Sequence, residues 1–233
     1  MVQNHTSKKH GMKDVVNTVK KQLDNVRPEH TDVPCKKMVL NSMFVLALSI
    51  MLGAGSKALD ETAVNALPSL FQYLDITNFL GRFSIWIFIA VCISVYSHSA
   101  KRAAFNVFLF FAGMVSSYYL YSAFIAGFLP KTYALIWICI TILSPLPAFL
   151  CWYAKGNGWF AICISGIIIG VLFSQAVLLL QGIRISHITE VIVWLASLFV
   201  LRRRPKEFAI EIGISLPVAI SLQLLLPSFA FFG

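Results

Sequence analysis

The chain lacks the short motifs that announce common enzyme chemistry: there is no HExxH, no phosphate-binding loop, no Gly-x-Gly-x-x-Gly and no Gly-x-Ser-x-Gly. It lacks paired cysteines as well. Cys35, Cys92, Cys139, Cys151 and Cys163 stand singly, with no CxxC, and four of them fall inside apolar runs, where a thiol behaves as a small hydrophobe. That spacing argues against a disulfide framework or a zinc site. A secretory leader is missing from the pattern, because some 37 polar residues precede the first apolar run. Acidic residues are scarce in the apolar runs, where only Glu211 lies clearly inside one, so no pair could act as an intramembrane aspartyl dyad. Cys92 and His98 sit about 120° apart around a helix, a poor thiol–imidazole geometry. His98 and His187 fall at opposite ends of the apolar runs and cannot share a haem or metal. No catalytic residue, metal ligand or cofactor is therefore assigned.

What the chain has in quantity is oil. Hydrophobic residues make up 58% of the 233 positions and the mean hydropathy is +0.77, against about 45–50% apolar in an ordinary soluble domain. The formal charge of +9 resembles a nucleic-acid signal only until the charges are located. Fifteen of the nineteen Lys and Arg lie in residues 1–39, at Lys101-Arg102, at Lys155, or in the Arg202-Arg203-Arg204 cluster with Lys206. The other four (Lys57, Arg82, Lys131, Arg184) lie at the opposite ends of the runs. This is a positive-inside bias, which predicts a cytoplasmic amino terminus, contact with membrane lipid and no nucleic-acid partner.

The pattern predicts an all-α, polytopic integral membrane helix bundle over 38–233, preceded by a basic cytoplasmic extension over 1–37. Seven spans are expected, at about 38–56, 80–97, 103–128, 132–153, 159–180, 188–201 and 208–231, with the carboxyl end outside. Six are possible, because the apolar core of 188–201 is at the lower edge for crossing ~30 Å of hydrocarbon. In the extension, Met12, Val16, Val19, Leu23 and Val26 recur at helical spacing, and Pro28 ends the pattern. Such a helix could lie on lipid or pack on a partner protein. Residues 57–79 are too charged to span and read as an interfacial helix broken near Pro68.

Small residues mark close-packing faces: Ser42, Ser49, Gly53 and Ser56 in the first run, Gly166, Gly170 and Ser174 in the fifth. These ridges are a second candidate surface for a partner. The central hairpin, residues 101–158, carries the densest polar content at membrane depth. Asn106, Gly113, Ser117 and Tyr121 fall within about 80° of one another around the third run. Lipid offers them no hydrogen-bond partner, so this face must meet another helix or a cavity. With Tyr118 beside them they form either interhelical glue or a ligand-binding wall. Ser144, Pro145 and Pro147 predict a break in the fourth run, and Ser215-Leu216-Pro217 repeats the theme in the seventh. Glu211 either is neutralised by the adjacent arginines or binds a cation or proton, and Gln175, Gln181 and Gln223 could add polar contacts.

From this pattern the expected function is a small membrane transport component. It would bind a partly polar small molecule between the third, fourth, fifth and seventh spans through Asn106, Ser117, Tyr118, Tyr121, Ser144, Gln175 and Glu211. Without a nucleotide site, energy would come from a partner or an ion gradient. In size and hydrophobicity the chain resembles the substrate-binding subunits of energy-coupling-factor transporters, a likeness of architecture with no shared motif. Two rival readings are an interaction or immunity-type membrane protein with no transported ligand, and a lipid-modifying enzyme using His98 and Glu211.

Overall fold

Why the chain bends where it does is written in its breakers. The computed structural model describes residues 18, 21–29, 33–180 and 184–225, and these are almost entirely helical. Pro34 precedes α1 (Cys35–Asp60), which runs 26 residues. Pro68 stands at the start of α2 (Ser69–Tyr73) after a 3-10 turn at Val64–Ala66, so the expected break at Pro68 is present. Asp75, at φ 50°, reverses the chain into α3 (Ile76–Gly81), and its carboxylate accepts from Asn78 Nδ2 at 2.8 Å. Next come α4 (Phe83–Val95), α5 (Ala100–Phe124), α6 (Lys131–Leu143), α7 (Pro145–Trp152), α8 (Trp159–Ala176), α9 (Ile188–Val200) and α10 (Pro205–Leu225).

Two helix pairs form the frame: α1 lies along α5, and α8 lies along α10. Small residues make both contacts possible. A Cβ on Gly53 would collide with Ser117 Oγ and the Met114 carbonyl, and one on Gly113 with Ser49 Oγ. The buried face of α1 is Ser42, Val45, Ser49, Gly53, Ser56 and Lys57, which contains the small-residue face expected for it. On α8, a Cβ at Gly166 would meet Ile214 at 2.8 Å and one at Gly170 the Ser215 carbonyl at 2.7 Å. The facing ladder on α10 is Glu211, Ser215, Ala219 and Gln223, spaced by four. Both predicted ridges are thus consumed inside the molecule. Helices α4 and α7 join the two pairs around Trp86, Phe110 and Ala148 on one side and Val91, Ile169 and Leu172 on the other.

Among the described residues, four helices (α1, α5, α8 and α10) are long and apolar enough to cross a membrane. Helices α6 and α7, bent by 42° at the Ser144-Pro145 break, add a fifth if the pair is one span. The apolar α4 and α9 have 13 residues each, ~20 Å at 1.5 Å per residue. Rows of exposed apolar side chains such as Leu40, Phe44 and Met51 on α1 and Leu216, Ile220 and Leu224 on α10 suit hydrocarbon rather than water.

Several boundaries differ from expectation. Helix α5 stops at Phe124, and Gly127 at φ 72° turns the chain, closed by Phe128 N–H to Ser122 O at 3.1 Å. The fifth run does not stay helical to 180. It ends at Ala176 in a short antiparallel hairpin, β1 (Val177–Leu178) with β2 (Arg184–Ile185). Gln223 of α10 holds this end: its Nε2 donates to the carbonyls of Ser174 and Val177, and its Oε1 accepts from Leu179 N–H at 2.9 Å. Helix α10 runs unbroken through Pro217.

Lys101, Arg102, Lys155 and Arg202–Arg204 share one end, called the basic end below. Arg102 donates to Met38 O at 2.7 Å, which pins the starts of α1 and α5 together. Residues 21–26 are helical, with Leu23 and Val26 seated against Ala100, Ala103, Trp152 and Tyr153. So part of the amino-terminal stripe covers the chain's own basic end. Met12, Val16 and Val19 lie outside the described residues. Arg27, expected off the stripe, is the anchor: its guanidinium donates to Trp152 O and to Val95 O (2.9 Å), the last carbonyls of α7 and α4. Helix C-termini leave such carbonyls without partners and carry partial negative charge, so a cation there is favoured. The same guanidinium stacks 4.3 Å from the Trp152 ring, and burial lowers its pKa from the ordinary arginine value.

Candidate functional site

The structure scatters the seven residues singled out from sequence. Asn106 is buried between α5 and α1, where its Oδ1 accepts from Ser42 Oγ at 2.7 Å. Ser117 faces Gly53 in the same seam and donates to Met114 O at 3.1 Å. Tyr121 is half-buried at the end of α5. Ser144 is buried at the α6–α7 bend and donates to Thr141 O at 2.8 Å, taking up a carbonyl near the break. Gln175 is fully buried in α8. Glu211 is fully buried near the basic end, with Oε1 2.7 Å from Arg203 Nε. Of the seven, only Tyr118 borders the apolar cavity described next.

That cavity, of about 340 Å³, lies at the end opposite the basic one. It is not between α5, α6–α7, α8 and α10 as expected. It opens where α1, α3, α4, α5 and α6 meet. Trp86, Tyr118, Tyr119, Tyr133 and Trp137 supply an aromatic wall, and Ser56, Lys57 and Asp60 the polar edge. Four of these five are placed by contacts. Trp86 Nε1 donates to Leu80 O at 2.8 Å, which fixes the indole across the mouth. Trp137 stacks on Phe83 with ring centroids 5.1 Å apart, and Tyr118 meets Tyr119 edge-on at 5.1 Å.

Charge at the edge is concentrated in one turn of α1. Lys57 is 7% exposed, and its ammonium lies 2.7 Å from Asp60 and 2.5 Å from Glu61, at i,i+3 and i,i+4. Tyr118 donates its hydroxyl to Asp60 Oδ2 at 3.3 Å, and Lys57 Nζ lies 5.5 Å from the Tyr118 ring. One ammonium against two carboxylates leaves the triad with one surplus negative charge. A mouth of this size, rich in aromatic side chains with a few convergent polar groups, has the character of a small-molecule pocket.

Two further polar clusters are structural in their connections. Fully buried Glu190 at the start of α9 accepts from Arg82 at 2.9 Å and from Thr189 at 2.8 Å, while Arg82 also reaches Asp75 at 3.0 Å. At the basic end a cleft of about 390 Å³ is bordered by residues 154–158 and 201–204 with Glu207. There Arg203 is spent on the carbonyls of Ala154 and Gly156 and on Glu211, so the adjacent-arginine account of Glu211 holds.

The residues missed in the sequence are Lys57, Asp60, Trp86, Tyr133 and Trp137. The Lys57-Asp60-Glu61 spacing at the end of an apolar run was a legible sign of a paired cation. The tryptophans carried no such sign, since aromatic residues near span ends ordinarily mark the headgroup level. No family model, curated protein or solved structure matches the chain.

Proposed function

We propose that the chain is a small multi-pass transport component of the cell membrane that takes a small solute into the cavity between α1, α4, α5 and α6. In this reading it crosses seven times, with the basic end and amino terminus in the cytoplasm and the cavity facing outward. The observation that carries it is the aromatic-walled cavity of about 340 Å³ with a charged edge, a size within the usual range for ligand pockets. Energy for uptake would come from a partner or an ion gradient. The interaction-protein alternative is weakened because the small-residue ridges and Leu23 and Val26 are engaged internally. The enzyme alternative is weakened because Glu211 is bound to Arg203.

Gly81 borders the cavity, and a Cβ there meets nothing within 4 Å, so Gly81→Phe is a filling variant that leaves the frame alone. Native mass spectrometry of the full chain released from nanodiscs should show a small-molecule adduct that Gly81→Phe loses. Proteoliposomes should then accumulate that solute under an imposed gradient or with copurified partner subunits. Adducts of equal abundance in both proteins, or none in either, would count against the cavity as a solute site.

A further inference from the structure

We infer that the cavity selects organic cations, that is, small amines or quaternary ammonium compounds with an apolar body. This rests on the proposed role of the cavity as a solute site and names its substrate class. Three features of the mouth converge on it. The first is the wall: six aromatic residues line the cavity, and a cation within about 6 Å of a ring face is attracted, most strongly where water is excluded. The protein already places one ammonium this way, Lys57 Nζ at 5.5 Å from the Tyr118 ring.

The second feature is the charge balance. Lys57 is buried and doubly compensated, so it offers little field to an incoming anion. Both of Asp60's protein contacts, from Lys57 and Tyr118, fall on Oδ2, which leaves Oδ1 for a further donor. Its side chain is 48% exposed at the edge of the mouth, where an entering solute would meet it. An anion entering there would face the Asp60 carboxylate, with Lys57 further neutralised by Glu61 just beyond the lining, whereas a cation would meet the free Asp60 oxygen.

The third feature is the scarcity of other polar partners. Apart from Lys57 and Asp60, the side-chain polar groups of the lining are Ser56, the tyrosine hydroxyls and the two indole N–H groups, and Trp86 Nε1 is committed to Leu80 O. A sugar-like solute needs many paired donors and acceptors, since each buried polar group left unpaired keeps its full desolvation penalty. A compact cationic head on an apolar body needs only the carboxylate and the rings.

The test is calorimetric titration of the full chain in nanodiscs, with empty nanodiscs subtracted for partition into lipid. The probes are benzyltrimethylammonium, uncharged benzyl alcohol and anionic phenylacetate. The cation should bind at least tenfold more tightly than either of the others. Asp60→Asn, which keeps the side-chain shape, should erase that preference. Should Asp60→Asn fail to fold, Tyr133→Leu serves instead: the side chain is largely exposed, and the change should weaken the cation at least threefold while sparing benzyl alcohol. Equal or tighter binding of benzyl alcohol or phenylacetate overturns the cation assignment and leaves the cavity as a solute site. A preference that survives both substitutions does the same. If Gly81→Phe also leaves every titration unchanged, with no probe bound by either protein, the solute site falls and the cation assignment with it.

Discussion

At the scale of single residues, Glu190 is a point where stability hangs on one partner. It is fully buried, and the Arg82 guanidinium at 2.9 Å is its main counter-charge, with Thr189 donating to the other oxygen and His187 Nδ1 standing 4.0 Å away. Replacing one member of such a pair leaves an uncompensated charge in a poorly solvating place, at a cost of about 3–5 kcal/mol, while replacing both with apolar groups is often nearly neutral. Arg82→Met should therefore lower thermal stability in detergent sharply, and Arg82→Met with Glu190→Met should regain most of it. If the double variant melts no higher than the single one, the pairing is not what Arg82 contributes. The sequence sets both residues at ends of apolar runs, where each is either paired or extended to the headgroups. It could not show that the partners, 108 residues apart, were each other, because that depends on α9 lying against α4. Arg27 was harder still, since its ligands are backbone carbonyls and carry no sequence signature.

At the scale of elements, the two frame pairs turn on glycines whose missing Cβ sets how closely backbones approach. Gly53 and Gly55 make a matched comparison on one helix. A Cβ at Gly53 collides with α5, while one at Gly55 meets nothing within 4 Å. Gly53→Leu should cost about 1–3 kcal/mol by forcing α1 and α5 apart, and Gly55→Leu should be nearly silent. Melting of each variant in the same detergent reads the difference, and equal losses would show that α1 does not seat on α5 through Gly53. This frame was legible because small residues repeat with helical period, so the packing face of α1 could be read before its partner was known. The polar face of α5 was less legible. Asn106 and Ser117 obey the rule that polar groups avoid lipid, but a neighbouring helix satisfies that rule as fully as a cavity does, and here the neighbour is α1. The end of α8 was hidden for another reason. Residues 177–180 are apolar and read as continued helix, whereas the hairpin there is held by Gln223 from a helix 43 or more residues away.

At the scale of the whole molecule, the question is which ends face the cytoplasm, and the short helices make it a real one. Helix α9 spans only ~20 Å at 1.5 Å per residue, less than a ~30 Å core. Yet the ends of α10 are fixed by contacts that do not depend on α9. Arg203, just before α10, donates to the carbonyls of Ala154 and Gly156 beside the start of α8, and Gln223, near the end of α10, donates to Ser174 and Val177 at the other end of α8. Helices α8 and α10 therefore run the same way, and the connection through α9 must return the chain to the basic end. A short helix can do this where the bilayer thins or flanking Arg and Lys reach to the headgroups. In the proposed orientation the basic end, with Lys101, Arg102, Lys155 and Arg202–Arg204, faces the cytoplasm, as a positive-inside bias requires. In a chain with its five cysteines replaced, Gln72→Cys should react with a membrane-impermeant maleimide on intact cells, and Asn157→Cys only after permeabilisation. A tag appended after Gly233 should be cleaved by external protease. Labelling of Asn157→Cys on intact cells would reverse the orientation, and a protected tag alongside the expected cysteine pattern would mean that α10 ends on the cytoplasmic side, so that α8 and α10 could not be parallel spans.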